Sequence, residues 1–173
     1  MTPPDRQPVL AGELVRLRPT IAADWDALFA VASDPLVWEV HPAHDRWQEP
    51  VFRAYFDAGL ASGGALTILD RATGAVIGSS RYDNWKPEAD EIEIGWTYLA
   101  RAYWGGVYNR EIKRLMLGHI HAHVRTVVFT VGETNVRSRR AMEKIGGVLR
   151  PGTEMRLMAG EMKPHVIYEI VRP

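Results

Sequence analysis

The sequence predicts a mixed α/β domain built on one sheet with helices on both faces. Three observations carry this. At 173 residues the chain suits a single core. Its segments of period two and of helical spacing run strand, two helices, three strands, helix, strand, helix, two strands. A helix separates the strands at 91–98 and 126–131, which permits a parallel crossover, whereas the other neighbouring strands read as hairpins.

Each element follows from local residue chemistry. Residues 1–8 hold three prolines and little hydrophobicity, so residues 1–10 read as a flexible arm. Leu14 and Leu17 mark a first strand over 14–18, ended by Pro19. Trp25, Leu28, Phe29 and Ala32 share a helical face over 24–33, and Asp34 with Pro35 stops that helix. Residues 36–50 are irregular. Helical spacing returns over 51–62 through Phe52, Tyr55, Phe56 and Leu60, and is closed by Gly63 and Gly64. Strands follow at 65–69, 75–82 and 91–98, with turns at 70–74 and 86–90. Ile112, Leu115, Met116 and His119 line one face of a helix reaching about 123. Asn109 sits where its N-cap is expected, and Glu111 brings negative charge to its first turn. The β-branched run 126–131 suits a sheet centre. Asn135 caps a further helix that Gly146 and Gly147 end. The tail reads as a hairpin, with arms at 148–158 and 166–170. Nothing suggests a repeat or a linker, so residues 1–173 form one domain.

Composition narrows the function classes. Lys plus Arg and Asp plus Glu are 21 each, so the formal net charge is zero. That argues against a general electrostatic grip on nucleic acid or an anionic membrane. The absence of cysteine removes disulfides, thiolate metal sites and a cysteine nucleophile. No run is apolar enough to span a bilayer and the N-terminus lacks a signal-peptide pattern, which reads as a cytoplasmic protein. His119, His121 and His123 do not share one helical face, so no metal is expected there.

The stretch with most chemistry is 96–111. A strand runs into a loop with Gly105 and Gly106 and then into a helix. The first N–H groups of a helix have no internal partner, and the helix dipole is positive there, so this end suits a phosphate or pyrophosphate. An ordinary strand–turn–helix fits the stretch equally well when it is taken alone. No Gly-Lys-Ser or Gly-Lys-Thr follows, which counts against a nucleoside-triphosphate enzyme.

Four motifs in series resemble the GNAT superfamily of acyl-CoA-dependent N-acetyltransferases, and most resemble its ribosomal-protein alanine acetyltransferase branch. They are the opening 14–19 with Asp34-Pro35, the strand end Glu93-Ile94-Gly95-Trp96, the loop 103–111, and the helix 135–146. The loop departs from the superfamily's usual glycine pattern at Val107 and Asn109. A valine still offers its N–H if its backbone stays in an ordinary region. The resemblance implies a mostly antiparallel twisted sheet of about seven strands, with the fourth and fifth splayed apart.

It also implies acetyl-CoA as co-substrate and a primary amine as acceptor: a protein N-terminus, an amino acid or a small-molecule amine. The pyrophosphate would lie on Gly105, Gly106, Val107, Tyr108 and Asn109, and the pantetheine arm beside Trp96, Thr97 and Tyr98. Asn135, Ser138 and Arg139, at i, i+3 and i+4, would meet the arm and a phosphate. Glu93 takes the position nearest the superfamily's usual base, with Glu91 in reserve. Ser138 is the candidate proton donor to the leaving thiolate, and Tyr168 a weaker one. Trp38, His41, His44, Trp47, Trp85 and Glu91 are candidates for the acceptor pocket, where aromatic faces would hold an apolar or cationic amine. A monomer or homodimer is expected. The alternative is a non-catalytic acyl-CoA-binding module.

Overall fold

A computed structural model describes residues 1–173. Nine strands form one sheet: β1 (Leu10–Ala11), β2 (Val15–Pro19), β3 (Ala65–Asp70), β4 (Val76–Lys86), β5 (Glu91–Leu99), β6 (Thr126–Gly132), β7 (Val148–Leu149), β8 (Glu154–Met158) and β9 (Glu161–Val171). The spatial order is β1-β2-β3-β4-β5-β6-β9-β7, with β8 also paired to β9. Every pairing is antiparallel except β5 with β6. The two strands beyond the expected seven are β1 and a split in the tail's first arm, whose halves β7 and β8 pair with different parts of β9.

The helices are α1 (Trp25–Ala32), α2 (Glu49–Ser62), α3 (Val107–Ile120) and α4 (Val136–Lys144). Two apolar clusters show which face each covers. Ile112, Met116, Ile120 of α3 and Met142 of α4 pack with Ile92, Ile94, Tyr82 and Phe129. Leu28 and Ala32 of α1 pack with Phe52 and Phe56 of α2, Trp38 and Tyr98 on the other face. No helix is long and apolar enough to cross a membrane.

The first ten residues lie against the body rather than standing off as an arm. Pro4 and Pro8 are buried, Gln7 Nε2 donates to the Ala65 carbonyl at 3.2 Å, and β1 pairs with β2.

Glu111 is also not where its spacing suggested. Helix α3 starts two residues before Asn109, with Gly106 at φ 98° as its N-cap. Asn109 therefore lies inside the first turn and Glu111 beyond it. The Glu111 carboxylate instead accepts from the backbone N–H groups of Glu13, Leu14 and Val15, each at 2.8 Å. It satisfies the β1–β2 connection, and a Cβ on Gly12 would come within 2.4 Å of it.

Two irregularities shape the sheet centre. Strands β5 and β6 pair only over Glu91–Glu93 and Thr126–Val128, and then separate. In β5, Trp96 and Thr97 together oppose Ser80, with Trp96 at φ 54°. This bulge changes the parity of the strand. Before it, Ile94 faces α3; after it, Thr97 and Leu99 face α3 while Tyr98 joins the α1–α2 cluster.

Candidate active site

The separation of β5 from β6 opens a cavity of about 500 Å³ through the sheet. One wall is Glu93–Leu99 of β5; the other is Phe129–Gly132 of β6. No strand covers β5 on this side beyond Glu93, so its edge is open to a ligand. Across one mouth stand Gly105, Gly106 and the α3 residues Asn109, Arg110 and Lys113. None of the N–H groups of residues 105–109 donates a hydrogen bond within the protein, and Gly105 and Gly106 have φ of 117° and 98°. These are the free donors of a helix N-terminus at the rim of a cleft. Val107 is exposed and Tyr108 packs on Tyr103, so both side chains lie outside the cavity; only their N–H groups are offered.

Helix α4 closes the same mouth. Asn135 Oδ1 accepts from the Ser138 N–H at 3.2 Å, as an N-cap should. Asn135 and Ser138 both line the cavity, and the Ser138 hydroxyl has no protein partner. Arg139 does not reach it. Its Nε donates to the Tyr168 hydroxyl at 3.1 Å and its Nη1 to the Glu133 carbonyl at 2.9 Å. Arg137 lines the cavity instead, stacked 4.0 Å over Trp104. Because Asn135 caps the helix from outside it, helical spacing counted from that residue put Arg139 on the wrong face. Tyr168 is likewise removed from the site: it is buried and donates to Glu143 at 3.1 Å.

The two glutamates part company. Glu93 lies on the cavity wall, where Arg156 Nη1 and Nη2 each donate to its carboxylate at 3.0 Å and Asn84 donates at 2.7 Å. To take a proton, Glu93 would have to give up a two-pronged buried ion pair. Glu91 sits where β5 and β6 are still paired, bonded to Arg150 at 2.6 Å and Lys86 at 3.3 Å, away from the cavity. It is a structural ion pair rather than a substrate contact.

Trp38 reaches the cavity, with its indole N–H on the Ala32 carbonyl at 2.8 Å. Trp47 and His44 face solvent, and Trp85 packs on the edge of the larger core, so none of the three lines the cavity. Trp38, the one expected indole face at the cavity, is already occupied, as are the neighbouring rings of Tyr55 and Trp96. Arg46 lies 4.7 Å from the Tyr55 ring centre and 5.5 Å from that of Trp38, and Arg81 lies 4.0 Å over Trp96.

Three further side chains complete the site, two of them, His165 and Lys113, absent from the sequence reading. His165 is buried on the wall; its Nδ1 meets the Lys163 carbonyl at 2.9 Å, so Nδ1 carries the hydrogen and Nε2 the lone pair. Burial and then Arg156 hold it below the ordinary histidine range, hence neutral at pH 7. His41, already a pocket candidate, has the other tautomer, because the Ala43 N–H donates to its Nδ1 at 2.9 Å. Burial among Arg46, His165 and Arg137 pushes His41 down to about 3. Lys113 is 2% exposed and has no carboxylate partner. Its Nζ donates to Thr97 Oγ1 at 2.6 Å, and Thr97 shares a 2.8 Å bond with Ser80. Desolvation pushes this amine down to about 7. No three His, Asp or Glu side chains converge as metal ligands would.

Comparison with known proteins agrees with this geometry. The Acetyltransferase (GNAT) domain family matches residues 15–148. An acetyltransferase structure from Agrobacterium tumefaciens superposes with TM-score 0.70 at 25% identity, covering 95% of each chain. A GCN5-related N-acetyltransferase from Brucella melitensis gives TM-score 0.79 at 23% identity, covering 95% of this chain and 79% of its own. The microcin C7 self-immunity acetyltransferase MccE, crystallised with acetyl-CoA and AMP, gives 0.77 at 11% identity over 93% and 94% of the two chains, a likeness of fold alone. No curated protein matches the chain in sequence. With the family profile spanning most of its length, and with the forked sheet and free helix N-terminus in place, the chain belongs to the GNAT acetyltransferase family.

Proposed function

We propose that this chain is an acetyl-CoA-dependent N-acetyltransferase that passes the acetyl group directly to a primary amine. The observation that carries the reading is the open β5 edge beside the free N–H groups of residues 105–109. Pyrophosphate would rest on those donors and the pantetheine amides along Trp96, Thr97 and Tyr98, with Asn135 and Ser138 on the far side. GNAT acetyltransferases use acetyl-CoA, and MccE was crystallised with it. The four motifs favour the ribosomal-protein alanine acetyltransferase branch; a cytoplasmic location and a monomer or homodimer are proposed alongside it.

In the step, the amine nitrogen bonds to the thioester carbonyl carbon and the carbon–sulfur bond breaks. Forming the C–N bond acidifies the attacking nitrogen, so a modest base suffices to take its proton. His165 Nε2 is neutral, on the cavity wall and has no bond within the protein, which suits it better than the clamped Glu93. Glu93 then serves by holding Arg156. The free hydroxyl of Ser138 is the candidate proton donor to the departing thiolate. The clamp on Glu93 also supports a second reading, a module that binds acyl-CoA without turnover.

Thiol release from acetyl-CoA across a broad panel of amines and N-terminal peptides separates these. A transferase releases thiol with at least one acceptor, and His165→Gln slows it more than tenfold while acetyl-CoA binds as before. Binding without release across the panel would establish the module. Loss of rate in Glu93→Gln with none in His165→Gln would return the base to Glu93.

A further inference from the structure

The charge of the cavity does not match that of the chain. The protein is neutral overall. Yet Arg46, Arg110, Lys113, Arg137, Lys144 and Arg156 line the cavity against a single carboxylate, Glu93. Four of these basic residues, Arg110, Lys113, Arg137 and Lys144, belong to α3 and α4, the helices at the mouth that suits the cofactor phosphates. Arg156 is already paired with Glu93.

Arg46 is different. It lies at the other end, between Trp38, Tyr55 and β8, and no carboxylate comes within 4.0 Å of it. Its only polar contact is the sulfur of Met158 at 3.9 Å. Arg81 stands behind it over Trp96, with a buried Nε that has no hydrogen-bond partner and with Asp83 no nearer than 3.7 Å. Burial pushes both guanidinium groups below their ordinary range, and the Arg81 cation further disfavours the charge on Arg46. Aromatic faces compensate a buried guanidinium only in part. An anion arriving with a ligand would complete the pair.

We propose that the acetyl acceptor is an amine that also carries an oxyanion, carboxylate or phosphate, and that this group docks on Arg46 with Arg81 behind it. The proposal rests on the acetyl-transfer reading above and names the acceptor class. Polycationic amines are disfavoured, because the aromatic faces and the field that would hold them already belong to arginines.

Binding of acetylated products tests this without requiring turnover. N-acetyl-leucine is compared with N-acetyl-leucinamide, N-acetyl-phenylalanine with its amide, and N-acetyl-O-phosphoethanolamine with N-acetylethanolamine. Each is titrated calorimetrically into the protein with and without coenzyme A. The expected result is that at least one acid binds more than tenfold tighter than its neutral partner. Arg46→Gln should bring that ratio to within about twofold, and Arg46→Lys, which keeps the charge but not the planar stacked fork, should keep only part of it. The carboxylate and phosphate pairs show which oxyanion is read.

Equal or tighter binding of the neutral partners overturns the proposal. So does the absence of binding by every compound, or a preference that survives Arg46→Gln. The wild-type preference decides even if Arg46→Gln fails to fold. A protein that shows the preference but acetylates no amine keeps the anion site and loses the transferase reading.

Discussion

Replacing Lys113 by methionine should stabilise the protein, and by an amount that depends on pH. The amine is 2% exposed and faces no carboxylate. Its proton affinity falls from the ordinary 10.5 to about 7 by desolvation. Each tenfold change is worth about 1.4 kcal/mol, which sets a ceiling of about 5 kcal/mol on the cost of carrying the charge. Losing the bond to Thr97 returns about 1 kcal/mol, and relaxation around a buried charge removes a comparable share. A net gain of about 2–3 kcal/mol is expected at pH 6.5, or about 4–12 °C in Tm for a chain of this length. The sign with pH is fixed. Between about 7 and 10.5 the unfolded chain holds a proton that the folded chain does not. Wild-type stability therefore rises through that window, and the advantage of Lys113→Met fades. Urea denaturation of both proteins at pH 6.5 and pH 9.5 measures it. A variant less stable than wild type at pH 6.5, or a gap unchanged at pH 9.5, would refute the reasoning.

Three further outcomes follow from single contacts. Glu111→Ala leaves three N–H donors of the β1–β2 connection without their carboxylate and should cost about 2–4 kcal/mol in denaturant titration; a loss under 0.5 kcal/mol would mean water replaces it. Gly106→Ala meets no atom within 4 Å but must hold φ near 98°, which costs about 1–2 kcal/mol. It should weaken acetyl-CoA by about tenfold in calorimetry, and unchanged affinity would remove the loop from the binding site. His41 stays neutral in the fold down to about 3, so wild-type stability falls as pH drops from 6.5 towards that value. His41→Gln should flatten that slope by about 2–3 kcal/mol, and parallel curves over pH 4–6.5 would contradict it.

The sequence revealed much of the frame because its signals were local. Period-two runs located β3 and β5, and the glycines after Ser62 ended α2 as expected. Asn135 was visible as a cap because capping acts within three residues. What it hid depended on distant partners. Glu111 reads as a first-turn charge, yet it serves N–H groups nearly a hundred positions earlier in the chain. Glu93 reads as a free base because Arg156 comes from another hairpin. Lys113 reads as a solvated helix charge. Its one signal was its spacing of seven from Gly106, which places it on the face that follows the loop into the cleft.

The doubled position at Trp96 and Thr97 makes β5 behave as two short strands joined out of phase. Removing Trp96 would restore plain alternation, with Thr97 alone opposite Ser80 and Tyr98 still opposite Ser79. The Thr97 hydroxyl would stay on the Lys113 side; what would go is the Trp96 carbonyl that accepts from the Tyr55 hydroxyl and the ring beneath Arg81. The extra residue is therefore a fitting for one carbonyl and one ring, and a redesigned sheet could lose it without exchanging its two faces.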